Sequence, residues 1–75
     1  MSKDEFLVAL QDMLQKDEIV NENDALDDYD EWDSLSKMAV MAYFQKNFGM
    51  TLNLDDLKNL RSVADLVKLA GGNVA

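Results

Sequence analysis

The sequence contains no cysteine, no histidine and no proline, and only 7 lysines and arginines among its 75 residues. Without cysteine there are no disulfides, no thiolate nucleophiles and none of the usual structural zinc ligands. Without histidine the commonest general base and metal ligand is missing. Most self-contained catalytic constellations are thereby excluded, so no catalytic residue and no metal site is assigned. The alternation of β-branched residues that marks strands is also missing, and with proline absent the order must come from helices. No apolar run approaches the length of a membrane span, and Met1-Ser2-Lys3-Asp4-Glu5 lacks the long apolar stretch of a secretory signal. A cytoplasmic protein without membrane insertion is expected. Its length suits one domain, near the size where a single core stabilises a fold by only roughly 3 to 5 kcal/mol.

What the chain has in excess is acid. Fifteen Asp and Glu give a net charge of −8, which repels nucleic acid and anionic membranes and favours a partner with a basic surface. The alternative is that acidity simply keeps a small domain soluble. Nine of the acids, Asp17, Glu18, Glu22, Asp24, Asp27, Asp28, Asp30, Glu31 and Asp33, lie in one stretch devoid of Lys and Arg. That connector, residues 17–33, should be solvated and irregular. It is long for a helix-helix connection, and Ile19, Val20, Leu26, Tyr29 and Trp32 should pin it to the body of the protein while the carboxylates face water. Anchoring is preferred to ligand binding for Trp32 and Leu26. Asp28-x-Asp30 begins like a calcium loop, but Trp32, Asp33 and Ala39 then stand at the fifth, sixth and twelfth positions, where the pattern needs a ligand, Gly and Glu.

The periodicity predicts an all-α fold, a bundle of three longer helices plus one short helix. Ser2 and Glu5 have capping-box spacing, and Phe6, Leu7, Leu10, Met13 and Leu14 share a face, so helix I is placed at about 3–16. Helix II is placed at about 34–48, ended by Gly49. Thr51 to Leu54 form a link, Asp55 and Asp56 start a short helix III at about 55–60, and Ser62 caps helix IV at about 62–70, stopped by Gly71-Gly72. Helix II is apolar on two sides. Val40, Met41, Phe44 and Phe48 are assigned to the core, and Leu35, Met38, Ala39 and Ala42 to partner contact, the alternative being that both stripes are core.

At the start of helix II stands Trp32-Asp33-Ser34-Leu35-Ser36. Asp33 or Ser34 reads as an N-cap, and neither choice yields a capping box, because the third helical position is Ser36 or Lys37. Asp33-Ser34-Leu35 resembles the DSL motif of acyl carrier proteins. The likeness extends through Phe48-Gly49, Thr51-Leu52, Leu60-Arg61-Ser62-Val63 and Asp65-Leu66-Val67, and with helix I and the acidic connector it covers nearly the whole chain. The resemblance implies an acyl-carrier-like bundle, likewise monomeric, with a 4'-phosphopantetheine arm from coenzyme A attached to Ser34. It also implies that Asp33 is part of what a phosphopantetheinyl transferase recognises, helping to place metal and serine during modification. Leu35 would contact the enzymes that load, modify and transfer acyl groups. A phosphodiester at Ser34 would lie by the helix N-terminus, where free N–H groups and the macrodipole favour an anion. Reactivity would reside in the cofactor, so the chain needs no catalytic constellation. Family carriers can shelter an acyl chain, and Met13, Met38 and Met41 would make a compliant lining, although ordinary core packing is preferred for them.

One departure matters. Carriers of fatty acid synthesis typically bear acid along helix II, whereas here that surface carries Lys37, Gln45 and Lys46 and no acid beyond Asp33. Partners are expected to dock through Leu35, Met38 and Ala42 with acid from the preceding loop, in a specialised pathway outside housekeeping fatty acid synthesis. An aminoacyl or peptidyl carrier, or an unmodified acidic helical adaptor, are the competing readings.

Overall fold

Every one of the four helices starts at a side chain that accepts a backbone N–H of the first turn, and these caps set the element boundaries. In the computed structural model, which describes residues 1–75, α1 spans Lys3–Leu14, α2 Ser34–Phe48, α3 Leu54–Lys58 and α4 Val63–Ala70. The caps are Ser2, Asp33, Asn53 and Ser62, each completed by a reciprocal bond from the third helical residue: Glu5, Ser36, Asp56 and Asp65. Such boxes satisfy two otherwise orphaned N–H donors per helix start. The all-α architecture agrees with the periodicity. Short 3₁₀ turns at Leu26–Asp28 and Gly71–Asn73 complete the order.

Four boundaries, in three of the helices, differ from the sequence reading. Helix I ends at Leu14 instead of Lys16, because Gln15 turns left-handed at φ 55° and its N–H closes on the carbonyls of Asp12 and Gln11. Helix III starts at Leu54 because Asn53, placed in the link by the sequence reading, caps it, and it ends at Lys58. Helix IV begins at Val63, with Ser62 outside it as the cap. Gly49 ends α2 at φ 65°, a conformation that glycine adopts without a Cβ penalty.

Phe6, Leu10, Leu14, Val40, Phe44, Leu57, Val63, Leu66 and Ala70 from the helices, with Val20, Leu26 and Trp32 from the connector and Val74, form one core. Phe44 is fully buried and meets Phe6 edge-on at 5.9 Å and Phe48 at 5.1 Å between centroids, geometries that suit ring quadrupoles. Met41 and Phe48 are only half-buried, packed against the core's edge.

The connector is more ordered than its composition suggests. Val20, Leu26 and Trp32 are buried and Tyr29 is half-buried, but Ile19 is 83% exposed and anchors nothing. Its backbone pairs with the entry to α4: the Leu26 N–H donates to the Arg61 carbonyl, Val63 to Asp24, and Ala64 to Glu22, at 2.9–3.0 Å. An isolated antiparallel bridge joins Ala25 to Ser62. Most of the carboxylates face outward, Glu22, Asp24 and Glu31 being half-buried, while the chain beneath them is held by hydrogen bonds that irregular loops usually surrender to water.

Candidate functional site

The site grows from the way α2 begins. Asp33 holds an extended backbone, and its carboxylate accepts the Ser36 N–H at 2.9 Å. The Ser36 hydroxyl in turn accepts the Asp33 N–H at 3.0 Å and donates to the Asp33 carbonyl at 3.1 Å. This capping box, which the sequence reading did not foresee, arises because serine at the third position reaches back as glutamate does elsewhere. The Ser36 N–H bond, helped by the Leu35 N–H, holds the Asp33 carboxyl below the ordinary carboxylate value. Of the two candidate caps, Asp33 takes the role.

Ser34 is thereby left without a structural task. It is the first residue of α2, exposed, and its hydroxyl engages no protein group. Ser36, two residues on, is 6% exposed. Adjacent serines thus have opposite environments, one locked into the cap and one facing solvent.

The approach to Ser34 is held from behind. Trp32 is buried, and the Lys37 ammonium lies 5.5 Å above its ring. Lys16, just past α1, reaches Glu31 at 3.5 Å and the Tyr29 ring at 4.2 Å. The Tyr29 hydroxyl donates to Asp24 at 2.6 Å. Burial first, then the Asp24 carboxylate, pushes the Tyr29 phenol up to about 12. These groups clamp the last part of the connector to the end of α1. Nothing in the local sequence marked Lys16, Glu31 and Tyr29 as partners.

On the outer side of α2, Leu35 is 77% and Met38 59% exposed, and Ala42 and Lys46 are also exposed. Ala39 and Lys37 are half-buried at the flanks. A groove of about 580 Å³ runs beside the start of α2, lined by Met13, Leu14, Leu35, Met38 and Ala39, with Asp33 at its rim. Met13 and Met38 both line this groove, and Met13, like Met41, also packs against the core. No three of the carboxylates converge as a metal-binding group.

An exposed, uncommitted hydroxyl at the first position of a well-capped helix suits covalent attachment of an anionic group. The bulky tether meets no wall, and the positive end of the helix dipole faces its charge. An all-α body with an exposed hydroxyl at a helix start is compatible with a carrier of a tethered group, and the fold alone does not decide it.

The chain matches the family model described as phosphopantetheine attachment site over residues 4–70, and it belongs to that family. It is a phosphopantetheine-bearing carrier, and its cofactor is covalently bound 4'-phosphopantetheine. No curated protein and no solved structure matches it. No helix is long and apolar enough to cross a membrane.

Proposed function

We propose that this chain is an acyl carrier protein in which Ser34 bears the arm. The observation that carries the assignment is the division of labour at the start of α2: Asp33 and Ser36 make the cap, and Ser34 is exposed with its hydroxyl unbonded. On modification, Ser34 Oγ forms a bond to phosphorus as the pyrophosphate linkage of coenzyme A breaks. The hydroxyl proton passes to a base of the transferase, and the adenosine-bearing phosphate leaves. Once attached, the cofactor supplies a terminal thiol on which acyl groups ride as thioesters.

The residues of this chain attach, orient and present. Asp33 is part of what the phosphopantetheinyl transferase reads, and Leu35, Met38, Ala39, Ala42, Lys37 and Lys46 form the face offered to acyl-loading, acyl-modifying and acyl-transfer enzymes. The carrier acts as a cytoplasmic monomer without catalysis of its own. The absence of acid along α2 supports a specialised lipid, polyketide or secondary pathway over housekeeping fatty acid synthesis.

The decisive experiment is incubation with coenzyme A and a broad-specificity phosphopantetheinyl transferase, followed by intact-mass measurement. The wild type gains the arm and Ser34→Ala does not. No gain on the wild type, or an equal gain on Ser34→Ala, overturns the assignment. Loading with malonate by a fatty-acid transferase tests the pathway. Turnover equal to that of a housekeeping carrier removes the reason for calling this one specialised.

A further inference from the structure

Attachment at Ser34 would add the negative charge of a phosphodiester to a chain of net charge −8, beside the Asp33 carboxylate that caps the same helix. The groove flank of α2 carries Asp33 and Glu31, and the cation there, Lys16, is already paired with Glu31. That side offers an incoming anion no free partner. On the other flank stands Lys37. At about 100° and about 1.5 Å per residue, it lies roughly 60° around α2 from Ser34 and about 4.5 Å along it, close enough for the two side chains to meet. Met38 and Met41, which share this side of the helix with Ser34, are uncharged.

Two observations place the Lys37 ammonium at the mouth of α2 and leave it unpaired. It lies 5.5 Å over the ring of Trp32, the residue before the cap. The side chain therefore runs back past the level of Ser34, in the direction that helical side chains lean. The ion pairs of the chain are Lys3 with Glu22 and Lys16 with Glu31, so no carboxylate takes up the Lys37 N–H donors. Lys46, the other cation of α2, is about 18 Å from Ser34 along the axis and out of reach.

We infer that Lys37 is the positioning residue for the root of the arm: the Trp32 ring holds its ammonium in place, and the phosphodiester on Ser34 takes up its free N–H donors. Resting on the Ser34 assignment above, this gives Lys37 a role within the carrier in addition to its place on the face offered to enzymes. Because Trp32 is buried, the cation is held before the anion arrives, which reduces the ordering entropy that an exposed ion pair forfeits. A phosphate anchored on this flank starts the arm on the side of α2 away from the groove.

The test compares armed and unarmed forms of the full chain, labelled with ¹⁵N, as wild type, Lys37→Gln and Lys37→Arg. In the wild type, arming shifts the Lys37 ammonium signal and slows its proton exchange, while the Lys46 signal stays in place. The phosphorus signal of the armed chain moves in Lys37→Gln and returns toward its wild-type position in Lys37→Arg. Arming raises the melting temperature by about 2 to 4 °C more in the wild type than in Lys37→Gln, and added salt shrinks that difference. A lysine that served only to cover Trp32 would alter armed and unarmed forms alike. An unmoved Lys37 ammonium signal, or an equal gain from arming in the wild type and Lys37→Gln, overturns the inference. The ammonium signal is read on the wild type, so it decides the matter even where Lys37→Gln takes up no arm. A chain that gains the arm on Ser34 and fails this test keeps the carrier assignment and loses only the anchor. One that gains no arm there loses the carrier assignment itself.

Discussion

Replacing Ser36 by alanine separates the serine that builds the helix start from the serine proposed to bear the arm. The Ser36 hydroxyl makes two bonds to the Asp33 backbone, at 3.0 and 3.1 Å. Each would be worth about 1 kcal/mol in isolation. Both Asp33 groups keep another partner, however: its N–H donates to the Glu31 carbonyl at 2.9 Å, and its carbonyl accepts the Lys37 N–H at 3.0 Å. No backbone group is orphaned, so the loss is about 1 kcal/mol in total, and the higher helix propensity of alanine offsets about 0.5 kcal/mol of it. The net destabilisation is about 0.5 kcal/mol, which for a chain of this length lowers the melting temperature by about 2 to 4 °C.

Ser34→Ala removes a hydroxyl without partners from an exposed helical position, so no bond is lost and the higher helix propensity of alanine leaves stability between that of wild type and about 0.5 kcal/mol above it. Thermal unfolding followed by circular dichroism, paired with the coenzyme A mass assay, gives the full comparison. Ser36→Ala melts earlier yet gains the arm, while Ser34→Ala melts normally and gains nothing. A folded Ser36→Ala that resists modification, or a Ser34→Ala that accepts it, would refute the division of roles between the two serines.

The other predictions test the core and the clamps. Phe44→Ala removes the ring that meets Phe6 and Phe48 in a fully buried position, a loss of about 3 to 5 kcal/mol. Because a core this small supplies little more than that, the variant should be largely unfolded at 37 °C by circular dichroism. The raised folded value of Tyr29, about 12, makes its neutral form part of the fold. That contribution is complete below the ordinary value of 10.0 and lost as pH rises through about 12. Absorbance titration should show one late phenol that disappears in Tyr29→Phe, and a single transition indifferent to that substitution would contradict the Asp24 contact. Asp33 and Asp65 have folded values below the ordinary 3.8 through backbone N–H bonds. Their support is therefore present above 3.8 and is lost as pH falls through the lowered values. Asp33→Asn preserves an N-cap without a titrating group, so its acid unfolding should be less steep in this range.

The helices were legible because their signals are local. Phe6, Leu10 and Leu14 recur on one face, Gly49 and Ser62 punctuate, and Asp33-Ser34-Leu35 lies where the acidic connector gives way to helix II. The third-position Ser36 escaped notice because capping boxes are sought with Glu or Gln. Asn53 and Asp56 had cap spacing but were masked by the neighbouring Asp55. The end of α1 could not be read at all. It depends on Gln15 turning left-handed and on Lys16 being held by Glu31 and Tyr29, residues of a distant segment. The same holds for the connector, whose order comes from hydrogen bonds to Arg61 and from Val63 and Ala64. Composition reports the solvated carboxylates and is blind to backbone pairing across so many residues.

That pairing bears on what a carrier must do. A flexible tether raises the local concentration of its cargo at any site it can reach, but a root that wandered would blur the approach of the partner to the arm. Three separate devices hold the root here: the Asp33–Ser36 box fixes the first turn of α2, buried Trp32 fixes the residue before the cap, and Lys16 fixes Glu31 to the end of α1. None of them uses the Ser34 side chain, so modification would leave each intact. With the arm at Ser34 as proposed, motion would belong to the arm, and α2 beside it would present one surface to successive enzymes. The acid-rich connector serves this arrangement from behind, by tying down the approach to Ser34 with buried Trp32, the Lys16–Glu31 pair and backbone bonds to the entry of α4.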